Sequence, residues 1–233
     1  MRWKTELHVH TIYSPDSLLA KIPLLLMCKI KGIKCIAITD HNSLCGAVKY
    51  EPFFAKHGVK VIIGEEIMTS QGEIIGLFLK NVIPPGLSPE ETVRAIKKQG
   101  GLVCIPHPFD PTRAKTVLSN ISSVAEDVHM IECSNGRNRK IEFDRVQEEI
   151  CEKFNRQKVV GSDAHTFFEI GRNYAWLLPF ETPEQFLKNL SHATRVTARI
   201  RTYPHTITKF VRAVRMLRKG DFGGLYRAFR KRR

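Results

Sequence analysis

The sequence lacks any run approaching the ~18 consecutive apolar residues that would cross a membrane as a helix, so no spanning segment is expected among its 233 residues. Its first residues, Met1-Arg2-Trp3-Lys4-Thr5-Glu6, lack the apolar core of a signal peptide, and a cytoplasmic location is the expectation. Internal repeats and low-complexity linkers are also missing. The six cysteines (Cys28, Cys35, Cys45, Cys104, Cys133, Cys151) have no paired spacing, and Cys35, Cys104 and Cys133 fall in apolar runs. They read as reduced core thiols, not as a thiolate metal site or a disulfide set. Acid is nearly absent from one end. From Arg195 to Arg233 there are 13 Lys and Arg against one acid, Asp221, which leaves 24 basic and 22 acidic side chains before it. The net charge of +14 therefore belongs to the tail, and what the basic surface binds need not be what the main body acts on.

What is present is the composition of a globular protein, 42% hydrophobic and 26% charged. Seven short β-type runs are expected: Glu6 to His10, Lys34 to Thr39, Lys60 to Ile63, Ile74 to Leu79, Leu102 to Ile105, His129 to Cys133 and Lys158 to Val160. Several are continuously apolar, as strands covered on both faces are. Helical patterns lie between them. Ser88-Pro89-Glu90-Glu91 opens one with a capping serine, a proline at the first position and acids in the first turn. Others run from Pro23 to Lys31, Ser43 to Lys56, Asn138 to Phe154 and Pro183 to Leu190. Strand–helix alternation predicts a parallel sheet, open or closed into a barrel. Two regions follow: a main domain over 1–194, and a basic edge strand with amphipathic helical tail over 195–233. In the tail Thr194 to Ile200 could pair at an edge. Ile207, Phe210, Val211, Val214 and Leu217 then recur at helical spacing opposite Lys209, Arg212, Arg215 and Arg218, and Leu225 to Arg233 resumes the pattern.

The chemistry sits at strand ends. His8-Val9-His10 closes the first strand, with both imidazoles on one face. Asp40-His41 closes the second and Glu65-Glu66 the third, His107 follows the strand ending at Ile105, and Asp163-Ala164-His165 follows the last. In a parallel α/β protein that end gathers ligands and catalysts. Each motif alone is weak, but five strand ends that all deliver His, Asp or Glu point to a metal cluster. Carboxylates buried together need a compensating cation.

These stretches resemble the PHP (polymerase and histidinol phosphatase) domain family. The matching residues are Leu7-His8-Val9-His10-Thr11 with Ser14 and Asp16, Ile38-Thr39-Asp40-His41-Asn42, Gly64-Glu65-Glu66, Pro106-His107-Pro108, Glu132 to Arg137, and Gly161-Ser162-Asp163-Ala164-His165. The resemblance runs from about Lys4 to about Pro179, with the motifs in family order. It implies a distorted (β/α)7 barrel carrying two or three divalent ions (Mn, Fe or Zn) at its mouth, with a basic helical C-terminal extension. By that resemblance His8, His10, Glu66 and Asp163 form the most buried position, with Glu66, not Glu65, bridging to a second metal. His107 and either Ser134 or Asn135 lie near that second metal, and Asp16, His41 and His165 complete a further position. Asp40 is read as an orienting acid. Glu73 stands where trinuclear relatives carry histidine, so it is either a ligand or a solvated strand-start acid.

The implied function is a phosphoesterase acting through a metal-bridging hydroxide on a nucleotide, an oligonucleotide or a small phosphomonoester. His41 or His165 would protonate the leaving oxygen beside Asp163, and Arg137, Arg139 and Arg172 are candidates to grip phosphate. The alternative from another class is a non-catalytic metal-binding module. In it the basic tail acts on nucleic acid or on an anionic membrane, to which the protein would be peripheral.

Overall fold

The structure, a computed structural model, describes residues 1–110, 121–198 and 203–224. Seven strands close on themselves in chain order: β1 (Trp3–Val9), β2 (Ile33–His41), β3 (Lys60–Met68), β4 (Glu73–Leu77), β5 (Leu102–Ile105), β6 (Met130–Asn135) and β7 (Gln157–Ala164), which returns to β1. The helices are α1 (Lys21–Lys31), α2 (Cys45–Lys56), α3 (Pro89–Lys98), α4 (Ile121–Val124) and α5 (Ile141–Phe154). Beyond the barrel come β8 (Tyr174–Leu177), α6 (Pro183–Leu190), β9 (Thr194–Val196) and α7 (Tyr203–Arg218). None of the described helices is long and apolar enough to cross a membrane.

Local chemistry sets the boundaries. At the start of α3 the Ser88 hydroxyl accepts the Glu91 N–H (3.1 Å) and the Glu91 carboxylate accepts the Ser88 N–H (2.8 Å), a reciprocal cap. Helix α5 stops at Asn155, whose left-handed backbone turns the chain out of the helix. All six cysteines are free thiols, five of them buried.

Within the barrel the sheet differs from the all-parallel expectation in one element. Strands β3 and β4 are joined by a short turn without a helix, and β4 runs antiparallel to both β3 and β5. Because β4 is reversed, its first residue, Glu73, lies at the end of the barrel where the other strands finish. The edge pairing expected from residue 194 is short: Thr194–Val196 pairs with β8, itself not foreseen and antiparallel to the first half of β1. Residues 199–200 of that expected segment and the resumed pattern at 225–233 lie outside the described residues.

One buried cluster takes side chains from every barrel strand: Leu7, Ala37, Ile62, Leu77, Leu102, Met130 and Val159. Phe180, Phe186 and Leu190 close it from below. Two further clusters pack the helices on the outer face, one of them holding Val9. Leu7 faces inward and Val9 outward, so the strict alternation of β1 breaks between them. Three steps on β1 (Glu6 to Val9) match two on β2 (Ile36 to Ile38), and three on β7 (Gly161 to Ala164) match two on β1 (Leu7 to Val9). The extra residues are bulges, which at barrel rims redirect side chains. His8 (φ 63°) and Asp163 (φ 52°) lie in the left-handed region, where L-residues are strained, and both are in the redirected segments. Helix α7 exposes Phe210 and Leu217, so its apolar stripe does not lie wholly on the barrel.

Candidate metal centre

The bulges bring His8 of β1 and His10 just after it into the mouth, with ring centroids 5.1 Å apart. Glu66 sits at the centre. One carboxylate oxygen lies 3.3 Å from His8 Nε2 and 3.1 Å from His107 Nε2; the other lies 3.3 Å from His10 Nε2 and 2.9 Å from His41 Nδ1. Asp163 Oδ1 is 3.6 Å from His8 Nε2 and 3.5 Å from His10 Nε2. On the outer side Asp16 Oδ1 is 3.3 Å from His165 Nε2 and 3.7 Å from His41 Nε2. The mouth opens on this side, since the His41 side chain is 24% exposed and that of His8 is 1%. The structure thus brings together His8, His10, Asp16, His41, Glu66, His107, Asp163 and His165. Glu73 joins them, 3.6 Å from His107 Nε2 and grouped with His41 and Glu66.

Glu65 faces the other way. Its carboxylate accepts the Ile83 N–H at 2.9 Å, and burial pushes its pKa up to about 7. Period-two alternation along β3 separates the two glutamates. Asn135 uses its amide locally: Nδ2 donates to Glu132 Oε2 (2.9 Å) and Oδ1 accepts the Arg137 N–H (2.9 Å). The three arginines considered for phosphate fall apart. Arg137 is buried and donates to Glu169 Oε1 and Thr208 Oγ1, both at 2.9 Å, whereas Arg139 and Arg172 are exposed.

Glu132 and Glu169 are the acids that sequence reasoning did not place. Glu132 Oε1 lies 2.7 Å from His8 Nδ1, and its Oε2 accepts the His107 N–H at 2.8 Å. A carboxylate on Nδ1 fixes the tautomer that turns Nε2 toward the mouth. The signal was a lone acid in the apolar run from His129 to Cys133. A side chain at Gly161 would put its Cβ 1.8 Å from Glu132 Oε1, so glycine is required there. Asp40 orders the loop ahead of Asp16: it accepts from the Thr11 N–H, the Thr11 hydroxyl and the Ser14 hydroxyl, each at 2.6 Å. Gly46 gives it room, because a Cβ there would stand 2.0 Å from Asp40 Oδ2.

Burial opposes charge on all these groups, and their neighbours decide the outcome. His8 is pushed well above its usual pKa because Glu132, Glu66 and Asp163 outweigh burial. His41 is held up to about 10 by Glu66 and Asp16 against the same penalty. His10 goes the other way, lowered by burial and by His165 and His41. Against burial, His8 and His41 hold Glu66 well below the carboxylate range.

The residues fit divalent cations. Four groups of three side chains offer ligand atoms all within 4.8 Å of one another: His8/His10/Glu66, His8/His107/Asp163, His10/His41/His165 and His41/Glu66/Glu73. His8 Nε2 and His10 Nε2 are buried without a hydrogen-bond partner, an arrangement that is costly unless something else satisfies them. Imidazole and carboxylate without thiolate suit Mn, Fe or Zn alike.

The PHP domain family model matches residues 6–172. An uncharacterized protein of Methanocaldococcus jannaschii is 50% identical over 118 residues, 46% of this chain and 69% of that protein. A probable phosphatase of Acetivibrio thermocellus is 24% identical over 226 residues, covering 82% of this chain and 92% of that one. Among solved structures, a two-domain protein of Bacteroides vulgatus containing a predicted PHP-like metal-dependent phosphoesterase superposes with a TM-score of 0.69 at 17% identity. That match covers 84% of this chain, which spans 65% of the neighbour's length.

Proposed function

Because the chain belongs to the PHP domain family, we propose that it hydrolyses phosphate esters at a mouth holding two or three divalent ions of Mn, Fe or Zn. The observation that carries this reading is the position of Glu66, whose two oxygens touch four histidines: His8 on β1, His10 just after it, His41 on β2 and His107 after β5. His8, His10, Glu66 and Asp163 would hold the deepest ion, His107 with Glu73 a second, and Asp16, His41 and His165 the outermost. Bound there, such ions supply Lewis-acid stabilisation of phosphoryl charge and a water acidic enough to attack near neutral pH.

The chain's own groups do the rest. Glu132 and the Asp163 carbonyl, 2.8 Å from His165 Nδ1, set the tautomers of His8 and His165. His41, its side chain 24% exposed at the edge of the site, and His165 beside Asp16 are the groups we assign to protonating the leaving oxygen when only the two deeper positions hold ions. Arg139 and Arg172, exposed and close in sequence to Asn135 and Glu169, are assigned to the substrate's phosphate ahead of the engaged Arg137. The substrate class is a nucleotide, an oligonucleotide or a small phosphomonoester.

The test is reconstitution of metal-stripped protein with Mn, Fe and Zn separately. Turnover of a phosphomonoester, a phosphodiester and a 5′-phosphorylated oligonucleotide is then compared. Metal-dependent turnover of one class supports the reading, and undiminished turnover by the metal-stripped Asp163→Ala and His8→Ala variants sinks it. A second surface bears on partners. Phe210, Leu217 and Phe222 are exposed on a segment carrying Arg212 and Lys219, which suits a polyanionic partner. Sedimentation with anionic vesicles and salt-dependent oligonucleotide binding are its two assays.

A further inference from the structure

Helix α7 lies beyond the residues matched by the family model, yet two separate chains of hydrogen bonds run from it into the mouth. The first starts at Arg215. Its guanidinium donates to the main-chain carbonyls of Ile12 (3.3 Å), Ser14 and Ser17 (2.8 Å), which bracket Asp16 in the loop after β1. The second starts at Thr208. Its hydroxyl accepts from Arg137 Nη2 (2.9 Å), Arg137 Nε donates to Glu169 Oε1 (2.9 Å), and Glu169 Oε2 accepts the N–H groups of His165 (2.8 Å) and Thr166 (2.6 Å).

One chain therefore ends at Asp16 and the other at His165, whose side chains meet at 3.3 Å. Their segments are also stitched together, since the Leu18 N–H donates to the His165 carbonyl at 2.9 Å; within the loop the Ser17 hydroxyl donates to the His10 carbonyl at 2.7 Å. A loop without regular structure has no ladder to fix its carbonyls, and a planar five-donor guanidinium can hold several at once. Glu169 and Arg137 are both buried, so their pair is not weakened by solvent as a surface pair would be. The deeper ligands have different support: among the described residues Glu132, not α7, orients His8 and His107.

We propose that α7 is a strap that completes the outermost metal position, with Arg215 and Thr208 as positioning residues for Asp16 and His165. The inference rests on the reading that the mouth holds metal. It goes further by making one position depend on a segment outside the family domain while the deeper positions do not.

The test uses the full chain and Mn2+ as the probe. Wild type and the variants Arg215→Ala, Arg215→Lys, Thr208→Val and Arg218→Ala are titrated by calorimetry, bound metal is counted after gel filtration, and thermal unfolding is recorded. Arg215→Ala and Thr208→Val should each weaken a single equivalent on the order of 10–100-fold, as loss of a ligand's support does. Arg215→Lys should recover part of that loss, the exposed Arg218→Ala should match wild type, and the tight equivalents should be unchanged. Equal affinities in wild type and both weakening variants would overturn the proposal. So would uniform weakening at every position, or failure of both variants to fold, since either makes α7 a general stabiliser. If wild type itself takes up no Mn2+, Zn2+ or Fe2+, the fault lies in the metal reading and not in the strap.

Discussion

The floor and the mouth of the barrel are made by the same strands, yet they follow opposite rules. At the floor each strand contributes an aliphatic or sulfur side chain, and Phe180 and Phe186, packed edge to face at 5.0 Å, seal the interior together with Leu190. A few residues along, the same strands and the segments that follow them carry five histidines and four carboxylates, with left-handed backbone at His8, His107 and Asp163. The floor is built for stability alone. The mouth holds buried charge and strained backbone that only a stable scaffold tolerates. Substitutions at the two ends should therefore separate stability from chemistry.

The largest expected effect is at the mouth. His8→Ala and Asp163→Ala should abolish phosphoesterase turnover and metal uptake while the midpoint of thermal unfolding of the metal-free protein moves little; a large fall in that midpoint would erase the contrast between the two ends. Phe186→Ala should do the reverse. It should lower stability by about 3–5 kcal/mol in urea unfolding, with metal content per folded molecule unchanged. Glu132→Gln lies between them. Retained fold with metal affinity reduced on the order of 10–100-fold is the expected result of calorimetry, and unchanged affinity would show that His8 needs no orienting carboxylate. The smallest effect belongs to Glu73→Gln, with about a tenfold loss at one equivalent; an unaltered binding isotherm would return Glu73 to the role of a solvated acid.

Much of this contrast was legible in the residues. The seven barrel strands and the helices Pro89–Lys98, Ile141–Phe154 and Pro183–Leu190 follow from apolar runs, a proline and acids after a capping serine, and polar stops. The acids and histidines at the strand ends could be named because each directly followed an apolar run. What could not be read depends on contacts distant in sequence. Reversal of β4 comes from a short turn after β3, and nothing in Glu73 to Leu77 marks direction. The partnership of Glu132 with His8 spans 124 positions, and that of Arg137 with Thr208 spans 71. Arg137 looked like a phosphate ligand because an isolated arginine beside a site motif carries no sign of an internal acid waiting for it. The bulge at His8 was likewise hidden, since one added residue leaves the pattern of a seven-residue strand nearly intact.

The reversed strand also makes the turn between β3 and β4 a ruler. Met68 faces Glu73 across the hairpin and Glu66 faces Ile75, so the span from Thr69 to Gly72 fixes how far the two glutamates stand from each other. Shortening or lengthening that loop by one amino acid would slide β4 against its partner and turn Glu73 to the outside of the sheet. A length change that most surface loops absorb would there exchange a carboxylate for Ile74, and a natural insertion at this spot would remove one acid from the proposed ligand set without touching any of the histidines.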